Sequence, residues 1–99
     1  NYPEAAKWFT RSAQQGYAKA QYNLGSLYEN GEGVTQDLAQ AVHWYRLAAA
    51  QQDAPAQYAL GTLYRDGQGV PQDAAAARKW LQSAADQGHV KAQKALEAL

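Results

Sequence analysis

One stretch of this chain occurs twice, and that repetition decides what it can fold into. AQYNLGSLYENGEGVTQD runs from Ala20 to Asp37 and AQYALGTLYRDGQGVPQD from Ala56 to Asp73, an offset of 36 residues with no insertion. The match continues outside the stretch, where Ala41, Trp44, Ala48 and Ala49 align with Ala77, Trp80, Ala84 and Ala85. Near the start Ala5, Trp8, Ser12 and Ala13 take the same places, and near the end Ala92, Gln93, Leu96 and Leu99 restart the pattern. A period of this length is the mark of a solenoid, in which a unit buries its apolar face only against its neighbours. The 99 residues should form a single domain: a half repeat over 1–19, full repeats over 20–55 and 56–91, and a C-terminal capping helix over 92–99.

Within each period the spacing of apolar residues is helical. Leu38, Ala41, Trp44, Tyr45 and Ala48 cluster on one side of the wheel, with Gln40, His43 and Arg46 away from it. Trp8 with Phe9, and Trp80 with Leu81, repeat the arrangement, so all three tryptophans are expected in the core. These B helices are expected over 2–15, 37–51 and 73–87. Asn1, Asp37 and Asp73 share one register position and suit helix N-caps, with Glu4 and Gln40 three residues later as in a capping box. Pro3 falls in a first turn, where its missing N–H costs nothing.

The A helices are expected to be shorter, over 18–30, 54–66 and 89–98, the second starting at an Asp53 cap. Ala20, Leu24, Leu27 and Tyr28 form the buried stripe of the first. Gly25 and Gly61 sit mid-helix, where glycine costs about 1 kcal/mol relative to alanine. The same cost at the same register implies close backbone contact with the following B helix. Gly31 and Gly67 should end the A helices with positive φ, and Val34 or Val70 should then anchor the loop on the core. A Gly-x-Gly pair also suits a phosphate loop, but no strand precedes it and no Lys-Ser/Thr follows, so that reading is rejected. In the last copy Glu97 replaces the mid-helix glycine and Lys94 the repeat tyrosine, as suits a polar capping helix.

These residues resemble the Sel-one-like repeat (SLR) family, a relative of the tetratricopeptide repeats. Its pattern is approximately A-x-x-x-L-G-x-x-Y-x-x-G-x-G-V-x-x-D followed by A-x-x-W-[YF]-x-x-A-A-x-x-G. Ala20, Leu24, Gly25, Tyr28, Gly31, Gly33, Val34, Asp37, Ala41, Trp44, Tyr45, Ala48 and Ala49 match it. Gln52 departs from it, standing where the pattern wants the glycine seen at Gly16 and Gly88. The resemblance implies an all-α fold, a right-handed α-α superhelix of antiparallel helix hairpins with the A helices lining the inside of the curve. It also implies a bacterial protein-interaction role. Some secreted members of the family staple each repeat with a disulfide, which this chain cannot do.

Composition removes several alternatives. Nine Lys and Arg balance nine Asp and Glu, so no basic field suits nucleic acid. No cysteine is present, which excludes disulfides and thiolate-held metal and fits the cytoplasm without excluding the periplasm. No run of about 18 apolar residues is present to enter a membrane. The chain opens Asn-Tyr-Pro inside a repeat, which reads as a fragment or a processed form. His43 and His89 fall in different kinds of helix, no acidic or histidine cluster has ligand spacing, and no Ser, His and Asp trio stands out. No metal, cofactor or catalysis is therefore expected.

The candidate site is the other side of the A helices. Lys19, Tyr22, Ser26 and Glu29 follow 3, 4, 3 spacing along one face. One repeat on stand Pro55, Tyr58, Thr62 and Arg65, and then Lys91, Lys94 and Ala98. If the A helices line the curve, as the resemblance implies, these residues stack into a concave surface suited to a peptide or a partner protein. The bland alternative is an ordinary solvated face with the tyrosines packed between helices. The first expectation is an adaptor or scaffold module. The second is a module for a cell-wall glycan or other non-protein ligand, using Tyr22, Tyr58 and Tyr17. A hydrolase ranks last. Weak self-association is expected through the helix of Trp8 and Phe9, whose apolar surface is only partly covered.

Overall fold

The computed structural model describes residues 2–99, so the cap expected at Asn1 lies outside the described residues. It is all helical: α1 Tyr2–Gln14, α2 Ala18–Asn30, α3 Leu38–Ala50, α4 Ala54–Asp66, α5 Ala74–Asp86 and α6 Val90–Glu97. Each helix packs on its chain neighbours, α2 on α3 and α4 on α5 most extensively. The result is a stack of antiparallel hairpins, 38 × 24 × 19 Å. The A helices α2 and α4 are as long as the B helices, 13 residues each, not shorter as expected. The expected B spans include cap residues that lie outside the helices.

Capping sets the boundaries. Asp37 and Asp73 accept from the backbone N–H of Gln40 and Ala76 at 3.1 and 3.0 Å. The capping box expected at Gln40 has no free N–H to accept. The Asp37 N–H is given to the Tyr28 carbonyl at 3.0 Å, and the Asp73 N–H to Tyr64 at 3.0 Å. These bonds tie each B helix start to the A helix before it. Gly31 and Gly67 close α2 and α4 at φ +68° and +66°, the left-handed region that glycine enters without strain. Gly33 and Gly69 follow and lie against the start of the preceding B helix. A Cβ on Gly33 would run into the Tyr2 carbonyl, and one on Gly69 into that of Leu38. The loop is thus closed on protein, with no cradle for a phosphate.

Three apolar clusters fill the stack in sequence. Ala13, Ala20 and Leu24 form the first, with Phe9, Tyr28 and Trp44 against it. Ala41, Val42, Tyr45, Ala48, Ala49, Ala56, Leu60 and Leu63 form the second, with Val70 and Trp80 against it. Leu81, Ala84, Ala85, Ala92 and Ala95 form the third. The tryptophans do not all reach the core. Trp44 and Trp80 are half-buried and Trp8 is 70% exposed. The reason is directional: Trp44 packs on the cluster of the repeat before it, as does Trp80, and among the described residues none stands there for Trp8.

The clusters are tied together by glutamines. Gln21 and Gln57 are buried, and their side-chain amides donate to the carbonyls of Ala13 and Ala49 at 3.2 and 3.1 Å. Their Oε1 atoms accept from Gln51 and Gln87 of the next B helix at 2.8 and 2.9 Å. Gln93 repeats the first bond, to Ala85 at 3.2 Å. Gln21 and Gln57 therefore each bridge two successive B-helix C-termini, adding a second donor to the Ala13 and Ala49 carbonyls, which also accept from the Gly16 and Gln52 N–H groups at 3.0 Å.

Gln52 takes φ +70° where Gly16 and Gly88 take +95° and +86°. A side chain in this region costs about 1–2 kcal/mol. Gln52→Gly should relieve that strain, less the added freedom of the unfolded chain, for a net gain of about 0.5–1 kcal/mol. A thermal melt should show Tm raised by roughly 4 °C. A lowered Tm would mean that the long contact of the Gln52 side chain with Gln57, 3.5 Å, outweighs the strain.

Candidate partner-binding face

The helical spacing of the A helices decides which side chains leave the stack on the far side from the B helices. At the head of α2, Lys19 is largely exposed, with its Nζ 3.6 Å from Asp53 Oδ1. Asp53 is buried because it caps α4, its Oδ2 accepting from the Ala56 N–H at 3.1 Å. Tyr22 is half-buried between these elements, its ring centroid 5.7 Å from that of Tyr45. Burial first, then the carboxylates of Asp53 and Glu29, raise its hydroxyl above the usual tyrosine range.

One repeat on, the tyrosine meets a different ring. Tyr58 is half-buried and its ring lies 5.0 Å from that of His89. His89 caps α6 as Asp53 caps α4, its Nδ1 accepting from the Ala92 N–H at 3.2 Å. The tyrosine of α4 therefore lies beside the N-cap residue of the next A helix, while Tyr22 packs on Tyr45 and feels the charge of the corresponding cap, Asp53.

The remaining stripe residues divide into engaged and free. Glu29 is engaged: its Oε1 accepts from the Tyr45 hydroxyl at 2.7 Å. Burial, then this bond, push the Tyr45 hydroxyl far above its ordinary range, so it remains a donor. Arg65 makes a two-pronged contact with Asp66, at 3.0 and 3.2 Å, which holds the Asp66 carboxyl below the usual range. Thr62 gives its hydroxyl hydrogen to the Ala59 carbonyl at 2.8 Å. Ser26 is half-buried and accepts a long contact from Asn30 at 3.5 Å. Lys91 and Lys94 are exposed on α6 and pair with no acid among the described residues. The free cations of the stripe are thus Lys91 and Lys94, while its three carboxyl-bearing neighbours, Glu29, Asp53 and Asp66, already have partners.

Helical spacing points to the stripe but not to its N-cap residues. Tyr17, Asp53 and His89 share one register position, and that spacing is the signal that places His89 beside Tyr58. His43 lies elsewhere, exposed on α3 with its ring edge-on to Trp44 at 4.9 Å. Among the described residues no group of three or more His, Cys, Asp or Glu is placed to hold a metal. None of the described helices is long and apolar enough to cross a membrane.

Comparison with known proteins agrees with this architecture. A protective antigen of uropathogenic Escherichia coli strains, described as displaying an SLR fold, superposes with a TM-score of 0.92 at 41% identity, over 93% of this chain and 20% of that one. A Sel1 repeat protein from Oxalobacter formigenes gives 0.93 at 38% identity, over 97% and 40%. The Helicobacter pylori cysteine rich protein B gives 0.90 at 26% identity, over 97% and 72%. A curated relative, the DAP3-binding cell death enhancer 1 of Rattus norvegicus, is 45% identical over 42 residues, which is 42% of this chain and 8% of that protein. The chain thus spans a small part of the curated relatives it matches. The family model for the Sel1 repeat matches residues 1–17, 18–53 and 54–89, and the chain belongs to the Sel1 repeat family.

Proposed function

We propose that this chain is a scaffold or adaptor module that binds an extended, acidic segment of a partner protein along the A-helix stripe. Sel1 repeats are generally protein-interaction modules, and the family is typically non-catalytic. One observation carries the reading: the two A-helix tyrosines that share one register position are both half-buried and both packed ring on ring, Tyr22 on Tyr45 and Tyr58 on His89. Two half-exposed rings in line offer apolar grip without being loose. The free ammonium groups of Lys91 and Lys94, with Lys19 at the other end, favour carboxylates on the ligand. Arg65 is offset by Asp66, while Glu29, held by the Tyr45 hydroxyl, keeps its negative charge and would steer the ligand's carboxylates toward α6. The name of the rodent relative records binding to a protein, which is the same class of ligand.

A random peptide library panned on the 99-residue chain tests this. The enriched peptides should combine acidic residues with one or two apolar anchors. Lys91→Glu with Lys94→Glu should weaken them at least ~tenfold, because a carboxylate on the ligand then meets like charge. Neither lysine pairs with an acid whose loss would disturb the fold. Tyr58→Ala should cost about 2 kcal/mol of binding if the ring is a hot spot. Circular dichroism on each variant separates lost binding from lost fold. Peptides indifferent to all three substitutions would move the site to the B-helix face of His43 and Arg46. Enrichment of none, with capture of glycan fragments instead, would favour the non-protein ligand.

A further inference from the structure

We infer that the A-helix stripe is charge-polarised along the stack and takes its ligand in one direction. The ligand is a segment with a basic residue at the α2 end, apolar residues over Tyr22 and Tyr58, and carboxylates at the α6 end. This rests on the peptide-binding reading above. It adds a cation to the ligand and fixes which way the segment lies.

The two tyrosine stations repeat in place and differ in charge. Tyr22 and Tyr58 share a register position and are both half-buried. Around them the repeat changes the sign of what it carries. Glu29 on α2 becomes Arg65 on α4, and the Asp53 cap becomes the His89 cap. Lys19 becomes Pro55, and Asn30 becomes Asp66. The α2 station thus holds two carboxylates against one ammonium. At the α4 station Arg65 and Asp66 offset each other, at 3.0 Å. On α6 the places of Lys19 and Tyr22 are taken by two exposed ammonium groups, Lys91 and Lys94.

The negative end has a single owner. Asp53 is offset by Lys19 at 3.6 Å and is further held by its cap bond to the Ala56 N–H. Glu29 pairs with no cation among the described residues. Its bond from the Tyr45 hydroxyl, 2.7 Å, is to a neutral donor and leaves the carboxylate charged. The field reaches the stripe: after burial, Asp53 and Glu29 are what raise the Tyr22 hydroxyl above its usual range.

A ligand end that suits one station is therefore disfavoured at the other. A carboxylate laid at Tyr22 meets Glu29, and a basic side chain laid on α6 meets Lys91 and Lys94. Turning the segment round makes both contacts repulsive at once, and like charges brought together fix register and reject wrong poses. These charges lie at or near the surface, so the preference weakens as salt is added.

The peptides enriched from the random library on the 99-residue chain read this directly. They should carry one lysine or arginine on one side of the apolar anchors and acids on the other. A photo-crosslinker beside the basic residue should attach to α2, and one among the acids to α6, as mapped by mass spectrometry. Glu29→Gln keeps an acceptor for the Tyr45 hydroxyl and removes the charge. It should weaken such a peptide roughly two- to fivefold, the worth of one exposed ion pair. The same peptide with its basic residue replaced by glutamine should bind both proteins alike. Circular dichroism checks that the variant is folded. Enriched peptides with acids on both sides and no basic residue would overturn the polarity and leave the peptide-binding reading standing. So would crosslinks from both labels to both helices, or a Glu29→Gln variant that binds the charged peptide as tightly as the native chain. Enrichment of no peptide would overturn the peptide-binding reading, and this inference with it.

Discussion

Gly61→Leu should cost the protein about 3 kcal/mol or more, enough to lower Tm by more than roughly 10 °C in a domain of this size. Even the first atom of the new side chain has no room. A Cβ on Gly61 would sit 2.8 Å from Leu81 Cγ, 3.0 Å from Leu81 Cδ2 and 3.3 Å from the Ala77 carbonyl oxygen. Leu81 is fully buried and Ala77 belongs to the backbone of α5, so neither can retreat without separating α4 from α5. Gly61→Ala is the informative companion. It gains about 1 kcal/mol of helix propensity but must displace Leu81, and a net loss of about 1 kcal/mol is expected. A Cβ on Gly25 would instead lie 2.8 Å from the ring of Tyr45, and that ring is pinned by its hydroxyl bond to Glu29. Thermal melts of the two position-61 variants decide the matter. A leucine variant as stable as the native chain would mean that α4 and α5 do not touch at this point.

Gln57→Glu should be nearly silent in acid and costly at neutral pH. Gln57 is fully buried, and its amide donates to Ala49 while accepting from Gln87. A protonated carboxyl at this position can make both bonds. A carboxylate cannot donate to Ala49, and it would face the carbonyls at the C-terminus of α3, the negative end of that helix. Burial and this repulsion raise the folded pKa of the introduced carboxyl above its unfolded value of about 4.3. Stability close to that of the native chain is then present below about pH 4 and is lost as pH rises through the raised folded pKa. A rise of about two to three units corresponds to about 3–4 kcal/mol at neutral pH. Gln57→Leu supplies the contrast: it removes both side-chain bonds at any pH, but the Ala49 carbonyl keeps the Gln52 N–H at 3.0 Å and the exposed Gln87 amide turns to water, for a loss of about 1 kcal/mol. Urea melts from acid to mildly alkaline pH on both variants would show it. A glutamate variant with a pH-independent deficit would mean that water reaches position 57.

The candidate site was legible in part. Helical spacing puts Lys19, Tyr22, Ser26 and Glu29 on one face, and the repeat carries that face to Tyr58, Thr62 and Arg65. Spacing says which residues share a face, not what else arrives there. That Glu29 is occupied by Tyr45 depends on the neighbouring helix, and position 81 holds leucine, so the bond has no echo one repeat later. That Arg65 pairs with Asp66 is a local contact between exposed side chains, open to several rotamers. The lysines of α6 are cations by residue type alone, but only the assembled structure shows that no described acid pairs with them.

Residue order was enough for the period, the two kinds of helix, the Asp37, Asp53 and Asp73 caps and the close approach at Gly25 and Gly61. These follow from residue spacing and from the backbone chemistry of single positions, which the chain carries wherever it goes. The packing of helix on helix settled the fates of like residues. Trp8, Trp44 and Trp80 read alike, yet Trp8 is exposed because an indole here is buried by the repeat before it. Gln21, Gln57 and Gln93 share one register position, yet only the first two are buried, each held between the B-helix ends of two repeats. Burial in a solenoid belongs to the neighbour as much as to the residue, and a periodic sequence does not say which neighbours are present.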